Sequence, residues 1–321
     1  MNRLAALAAA LLMTLAFAGC RRHQPHQAVV LRIATQPSPL YAPLFVAKQQ
    51  HWLEDELGKQ GVAVTWTSFL AGPPENEALF AGQEDIAFIG DTPAIVAHSA
   101  GLDSRVVGIA ATGPKALALV ARKDSGIQSV ADLRGRKVAV TKGSYAHHLL
   151  FLLLKNAGLT PADIKLVHMG PPDLVTAFSH GDVDAAVTWE PFLSRIEPGN
   201  RRIADGTGIK QGAVVILALA PFAKGNPDLV VAVLKAYQRG YEYLGSHPRE
   251  AALLIAPEVK LDADQVVKLL PVLDFNPVVR PGHIAELKAT ETFLRENGLS
   301  KGPVDIDRLF DSQYLAKAGL R

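Results

Sequence analysis

The chain contains a single cysteine, Cys20, among its 321 residues. One cysteine cannot form a disulfide within the chain, so stability has to come from packing. An excess of charge of one sign is also missing, because 33 basic and 31 acidic residues leave a net charge of +2. A chain this close to neutrality has no broad positive field for binding nucleic acid. We therefore expect no nucleic-acid partner.

Catalytic and metal-binding motifs are absent as well. The sequence has no GxSxG elbow, no Walker sequence and no GxGxxG after a strand, and it lacks the HExxH and CxxC spacings that hold metals. No nucleophile stands beside an evident base and orienting group. We therefore predict a protein that is not an enzyme and that has no metal site and no cofactor.

Long apolar runs are confined to the beginning of the sequence. Arg3 and the apolar residues that follow it predict a signal peptide over residues 1–19, and a polar tether follows over residues 20–28. Ala16-Phe17-Ala18 suits ordinary signal peptidase, whereas Phe17-Ala18-Gly19-Cys20 resembles a bacterial lipobox, in which Cys20 is lipidated. Both alternatives predict export to the periplasm, and the second adds a lipid anchor at Cys20.

What the sequence does contain is a repeated alternation of short apolar runs with helical patterns. The strand-like runs are residues 29–34, 62–69, 86–89, 106–110, 137–140, 165–168 and 185–188. This alternation predicts an α/β protein of two lobes, each a mostly parallel sheet flanked by helices. We assign residues 29–115 and 220–321 to lobe I and residues 116–219 to lobe II. Val214–Leu219, at the end of this assignment, is apolar enough to run back into lobe I. A cleft at the carboxyl ends of the strands is then the expected ligand site.

The turn between one such strand and its helix carries the residues of an anion site. Gly143 permits a sharp turn, and Ser144 is a good N-cap for the apolar helix that follows. The first turn of a helix has unpaired N–H groups and the positive end of a macrodipole. His147 lies in that turn and can donate a hydrogen bond to an anion. An ordinary capped helix explains the same residues, and Lys142 either adds charge or is simply solvated.

Two further turns end strands in polar or aromatic residues. Asp91 or Thr92 caps a helix of lobe I that faces the cleft from the opposite side. In lobe II, Trp189 can form an apolar wall, and Glu190 can accept hydrogen bonds or pair with a ligand amine. Simple capping and a plain loop anchor are the alternatives for these two turns.

The first βα loop supplies the remaining candidate ligand-binding residues. Gln36, Ser38 and Tyr41 are polar groups at the mouth of the first strand. The competing interpretation is a proline-stiffened loop that makes no ligand contact.

Taken as a set, several segments resemble the periplasmic binding proteins of sulfonate, taurine and nitrate ABC importers. The most extensive is residues 132–192, which contain VAVTKGSYAHHLL and DVDAAVTWEPF, and the others are residues 41–61, 78–97, 226–256 and 304–315. The resemblance implies a monomeric protein that closes like a Venus flytrap and delivers its ligand to a membrane permease with an ATPase. In the alkanesulfonate-binding members, the KGS-x-x-H turn fits Ser144 and His147, which implies an anionic headgroup there.

The resemblance leaves the ligand open. Asp91 and Glu190 fit poorly beside a sulfonate unless they face a ligand amine, so a small zwitterion such as taurine is as well supported as a plain anion. A thiamine pyrimidine precursor or another heterocyclic ligand is an alternative. The pyrimidine synthase of thiamine biosynthesis shares the fold, but its cysteine-rich motif is absent here. A sensor domain is the third alternative.

Overall fold

The computed structural model describes residues 29–320. The predicted signal peptide, the tether and Cys20 lie outside the described residues, as does Arg321. Residues 29–320 form two five-stranded sheets, each covered by helices on both faces. The two-lobed α/β fold predicted from the sequence is confirmed. None of the helices in this part of the chain is long and apolar enough to cross a membrane.

The strands are short and alternate with helices, as the sequence pattern predicts. In chain order they are β1 (Val29–Thr35), β2 (Val62–Ser68), β3 (Ile86–Gly90), β4 (Ser104–Ala111), β5 (Leu117–Ala121), β6 (Lys137–Val140), β7 (Lys165–His168), β8 (Ala185–Trp189), β9 (Arg201–Asp205) and β10 (Val214–Leu219).

The helices between β1 and β10 are those that position the cleft. They are α1 (Ala42–Gln49), α2 (Trp52–Gly58), α3 (Gly72–Phe80), α4 (Asp91–Ser99), α5 (Tyr145–Asn156), α6 (Pro171–His180) and α7 (Leu193–Ile196). Short 3₁₀ helices cover Pro39–Tyr41, Pro114–Ala116, Val130–Leu133 and Pro161–Asp163.

The remaining helices follow β10 and cover lobe I. They are α8 (Ala220–Gly225), α9 (Pro227–Ser246), α10 (Pro248–Val259), α11 (Ala263–Leu269), α12 (Pro281–Glu296), α13 (Ile306–Leu309) and α14 (Gln313–Lys317), with a 3₁₀ turn at Leu270–Val272.

In each sheet, one strand runs against the other four. The sheet of lobe I has the order β2-β1-β3-β10-β4, and β10 is antiparallel to both of its neighbours. The sheet of lobe II has the order β7-β6-β8-β5-β9, and there β5 is the antiparallel strand. The central strands β3 and β8 are buried along their whole length because helices cover both faces. Their continuous apolar runs reflect this burial.

The pairing of β10 corrects one predicted lobe boundary. We assigned residues 116–219 to lobe II, but β10 forms ladders with β3 and β4 of lobe I. The apolar run of Val214–Leu219 has no place in the second sheet, whose last strand is β9. The chain therefore returns to lobe I before Val214 and not after Leu219.

The two crossings between the lobes are bonded to each other. The Gly113 amide donates to the Gln211 carbonyl oxygen at 2.9 Å, and the Gly206 amide donates to the Pro114 carbonyl oxygen at 2.9 Å. A Cβ at residue 206 would lie 2.3 Å from the Lys210 carbonyl oxygen, so only glycine allows this close approach. The crossings thus form one compact double connection.

Candidate functional site

Ser38 of the first βα loop joins the two lobes. Its Oγ accepts a hydrogen bond from the Leu40 amide and so caps the short helix Pro39–Tyr41. The same hydroxyl donates to the Glu190 carbonyl oxygen of lobe II at 2.9 Å. Ser38 is buried. The bond shows that the lobes are in contact at the predicted cleft.

Gln36 and Tyr41 lie in the same loop and are also buried. The Gln36 side-chain amide donates to Glu75 Oε2 at 2.7 Å, which links the loop to the first turn of α3. Tyr41 packs edge-on against Phe45 and Phe88. Burial, together with the nearby Glu75 carboxyl, raises the pKa of the Tyr41 phenol well above its ordinary value. This loop is therefore a packed wall of the cleft.

Asp91 opens α4 and is engaged on both carboxylate oxygens. Oδ1 accepts from the Thr92 amide at 2.6 Å and from Thr92 Oγ1 at 3.1 Å. Oδ2 accepts from Lys210 Nζ at 2.7 Å and from Thr290 Oγ1 at 2.8 Å. Lys210 of this chain therefore occupies the position that a ligand amine would take beside Asp91, and a ligand contact of Asp91 remains a prediction. The side chains of Asp91 and Thr92 satisfy each other.

Lys210, which lies in the second crossing between the lobes, belongs to the same hydrogen-bond network. Its side chain is fully buried, and its Nζ also lies 3.0 Å from Glu286 Oε1 and 3.2 Å from Thr290 Oγ1 on α12. Burial opposes the charged form of Lys210, but Asp91 and Glu286 outweigh it and raise the pKa. The crossing is thus fixed to lobe I through a buried ion pair.

Gly143 and Ser144 form the turn before α5, as predicted. Gly143 has a φ of +75°, a value that favours glycine. Ser144 Oγ donates to the Thr141 carbonyl oxygen at 2.7 Å and accepts from the His147 amide at 3.3 Å. The serine hydroxyl therefore shapes the turn and has no proton left for an anion. The Tyr145 and Ala146 amides have no hydrogen-bond partner within residues 29–320.

His147 is buried in the first turn of α5 and keeps one ring nitrogen unpaired. The Gly143 amide donates to His147 Nδ1 at 3.4 Å, so the proton of the neutral ring is on Nε2. Nε2 has no hydrogen-bond partner within the described residues. Burial, followed by the nearby His168 and Lys142, lowers the pKa of His147 to about 4. At neutral pH, His147 is thus an uncharged donor beside two free amides.

The neighbouring His148 belongs to the contact between the lobes. Its ring stacks on Phe293 of α12 with the ring centroids 4.0 Å apart, and its Nδ1 is buried without a partner. Burial, followed by the positive charge of Lys210, lowers its pKa to about 2. His148 therefore acts in packing.

The depressed histidine pKa values predict a loss of stability in acid. The ordinary pKa is 6.5, so below that pH the unfolded chain binds protons that the folded chain does not, and the stability present above pH 6.5 declines as the pH falls. When the pH is lowered from 7.5 to 5, the free energy of unfolding of the parent should fall by about 2 kcal/mol more than that of His148→Phe. Urea unfolding of both proteins at each pH measures this, and identical pH dependences would contradict it.

Trp189 and Glu190 end β8 next to the same helix. Trp189 lies 5.4 Å from Tyr145 between ring centroids. Glu190 Oε2 accepts from the Ser194 amide at 3.1 Å, and burial raises the pKa of its carboxyl. The aromatic wall predicted for Trp189 therefore consists of the rings of Trp189 and Tyr145. The Glu190 side chain is held by a hydrogen bond within its own loop. That Glu190 meets a ligand remains a prediction.

The structure adds three residues that the sequence reasoning did not select. Glu75 lies under the first βα loop, Tyr145 reaches across to Gly90 of lobe I, and Lys210 pairs with Asp91. Two prolines before Glu75 signal the start of a helix, but nothing local to Lys210 indicates a partner 119 residues away. The long-range pairing decides the roles of these side chains.

Two other features of the described residues bear on function. A cavity of about 550 Å³ lies between the lobes along α5, and its lining includes His148, Phe151, Lys155 and Phe293. It begins at His148, the residue next to His147 in the sequence. Within residues 29–320, no group of three or more histidine, cysteine, aspartate or glutamate side chains is placed to hold a metal ion.

Comparison with known proteins agrees with this architecture. The family model described as NMT1/THI5 like matches residues 38–251. The chain belongs to this family. Sequence relatives of the chain include proteins named for aliphatic sulfonates binding. One, from Bacillus subtilis (strain 168), is 31% identical over 90% of this chain and 87% of the relative, and one from Escherichia coli (strain K12) is 34% identical over 86% of each. The taurine-binding periplasmic protein of E. coli is 30% identical over 91% of this chain and 88% of its own length.

Two solved structures have the same fold as this chain. The periplasmic aliphatic sulphonate binding protein SsuA from E. coli superposes with a TM-score of 0.76 at 32% identity, covering 87% of this chain and 91% of that one. The alkanesulfonate-binding protein SsuA from Xanthomonas axonopodis pv. citri bound to MOPS gives a TM-score of 0.79 at 28% identity, covering 88% and 98%. The resemblance noted from the sequence is confirmed.

Proposed function

We propose that this chain is the periplasmic solute-binding component of an ABC importer and that it captures a small aliphatic sulfonate between its lobes. The observation that carries the proposal is the first turn of α5. There the unpaired Nε2–H of His147 and the free amides of Tyr145 and Ala146 form a set of donors. Donors at a helix N-terminus favour an anion. The names of the sequence relatives give the anion its chemical class.

Binding at this site would use closure of the two lobes. Ser38 of lobe I bonds the Glu190 carbonyl of lobe II, and Tyr145 packs against Gly90. A ligand held at the α5 N-terminus in this closed arrangement exchanges water for fixed donors. A solute without an anionic headgroup leaves those buried donors unpaired, which disfavours its binding. The captured solute would then pass to a membrane permease with an ATPase, and the protein itself would perform no reaction.

Calorimetric titration of the purified protein tests the function. The ligands are 1-propanesulfonate, taurine, nitrate and a thiamine pyrimidine precursor. We expect micromolar or tighter binding of at least one sulfonate, and chromatography should recover that sulfonate unchanged. Binding of the pyrimidine alone, or of nitrate alone, would overturn the sulfonate assignment. Conversion of a bound ligand would overturn the assignment as a receptor.

Closure of the two lobes on a ligand also predicts that Gly90→Ala weakens sulfonate binding. The Gly90 backbone has φ −61° and ψ 151°, which alanine adopts freely, but its Cβ would lie 2.9 Å from Tyr145 Cδ1 in the other lobe. Overpacking of this kind costs about 1–3 kcal/mol, so we expect the sulfonate affinity to fall about tenfold, with little change in unfolding temperature. Calorimetry and thermal unfolding give the two values.

Gly245→Ala is the matched control for this prediction. A Cβ at residue 245 meets nothing within 4 Å, and the residue lies near the end of α9. We expect unchanged affinity in this control. If Gly90→Ala binds the sulfonate as tightly as the parent protein, the contact between Gly90 and Tyr145 plays no part in the bound state.

A further inference from the structure

Glu75 is a fully buried carboxyl group with one oxygen that nothing in the described chain satisfies. Oε2 accepts from the Gln36 side-chain amide at 2.7 Å. Oε1 has no hydrogen-bond partner within residues 29–320. A buried acceptor without a donor destabilises a fold, so the group calls for a partner. The other two acidic candidates of the cleft, Asp91 and Glu190, already accept hydrogen bonds from this chain.

Glu75 lies in a part of lobe I that contacts lobe II. Its partner Gln36 follows β1, and its charge acts on the phenol of Tyr41 together with that of Tyr145 from lobe II. Ala71, which precedes α3, packs within the core cluster of lobe II that contains Tyr145 and Trp189. The start of α3 is thus packed against the core of lobe II.

Burial determines which chemical group can form a hydrogen bond with the Glu75 carboxyl group. Burial is the main cause that raises the pKa of Glu75 well above its ordinary value, and nearby Glu84 acts in the same direction. An adjacent positive charge reverses this effect because it favours the ionised carboxylate. A ligand nitrogen that carries hydrogens would therefore satisfy the free oxygen and compensate the buried charge.

We propose that Glu75 Oε1 accepts the ammonium group of the ligand and so makes this receptor selective for aminoalkanesulfonates over plain alkanesulfonates. This inference rests on the proposed function, since it assigns the opposite end of the same ligand. The sulfonate is held by the first turn of α5 in lobe II, and the ammonium is held by α3 in lobe I. Such a ligand bridges both lobes.

The test compares two ligands of equal size on the purified protein. Taurine and 1-propanesulfonate differ in having an ammonium or a methyl group at the end remote from sulfur. A hydrogen bond to a charged group predicts that the protein binds taurine roughly tenfold to hundredfold more tightly. Glu75→Gln should reduce this ratio to about one, because the amide places a donor opposite the ammonium.

Glu84→Gln is the matched control. Glu84 is also buried and also has an unpaired oxygen, Oε2. Its charge acts on Glu75 from a distance, but its own charged neighbours are Arg32 of β1 and Asp85 just before β3. The control should keep the full preference for taurine. An equal loss of preference in Glu84→Gln would show a general electrostatic effect and overturn the assignment to Glu75.

The outcomes separate this inference from the function on which it rests. If neither sulfonate binds the parent protein, the proposed function fails. If 1-propanesulfonate binds at least as tightly as taurine, the function stands and the role of Glu75 is overturned, a result that needs no variant. A preference for taurine that survives in Glu75→Gln overturns the inference as well.

Discussion

Lys210→Met is expected to lower the free energy of unfolding by about 3–5 kcal/mol, the usual cost of leaving one partner of a buried ion pair uncompensated. Lys210 Nζ contacts Asp91, Glu286 and Thr290, and its side chain is fully buried. Methionine has a similar length and no charge, so the loss reports the charge. Urea denaturation of both proteins at neutral pH measures the difference.

The matched control for this prediction is Lys288→Met. Lys288 also forms an ion pair, with Asp307 at 2.7 Å, but both side chains are more than half exposed. Exposed pairs contribute about 0–1 kcal/mol, so the control should unfold almost as the parent does. A further substitution, Asp91→Asn in the Lys210→Met background, should recover part of the loss. Equal effects of Lys210→Met and Lys288→Met would show that the buried network does not stabilise the fold.

Replacing both Ser144 and His147 by alanine is expected to weaken sulfonate binding on the order of a hundredfold, because one change removes a helix cap and the other a hydrogen bond to an anion. Ser144 fixes the turn through Thr141, and His147 Nε2 is the unpaired donor of that turn. Calorimetry with 1-propanesulfonate measures the affinity, and circular dichroism checks that the helices persist.

Ser129→Ala tests whether the loss of any cap in lobe II has this effect. Ser129 forms a capping box with Asp132 at the short helix Val130–Leu133, where both residues are exposed. We expect its affinity to match that of the parent. Were the double variant of Ser144 and His147 to bind as tightly as the parent, the anion would have to lie elsewhere in the cleft.

The fold was predictable wherever burial imposes a pattern on the sequence. The continuous apolar runs of β3 and β8 reveal strands covered on both faces. The apolar run of β10 indicated a return to lobe I, although the boundary was placed after it. The edge strand β9 was not predicted, because one face of Arg201–Asp205 meets solvent and its charged residues read as a loop. The order of the strands in each sheet is not encoded in a local pattern.

Of the candidate site, only the strand-to-helix turns could be predicted from the sequence. Gly143, Ser144 and His147 lie together because a strand, a cap and a helix follow one another in sequence. The role of Asp91 could not be inferred, because its partner Lys210 comes from a crossing between the lobes. Glu75 was missed because its partner Gln36 lies 39 residues earlier in the chain. Side-chain roles that depend on distant partners require the tertiary structure.

The hydrogen bonds and ion pairs of the two crossings limit where one lobe can rotate relative to the other. Lys210 ties its segment to α4 and α12, and the Gln211 amide donates to Glu286 Oε1 at 3.1 Å, so this end of the crossing travels with lobe I. β9 ends at Asp205 in the sheet of lobe II. We therefore expect the torsional change of an opening motion to be concentrated between residues 205 and 210, beside Pro114 of the other crossing. That short axis lies at the edge of both sheets, so a small rotation there becomes a wide displacement at the opposite rim of the cleft.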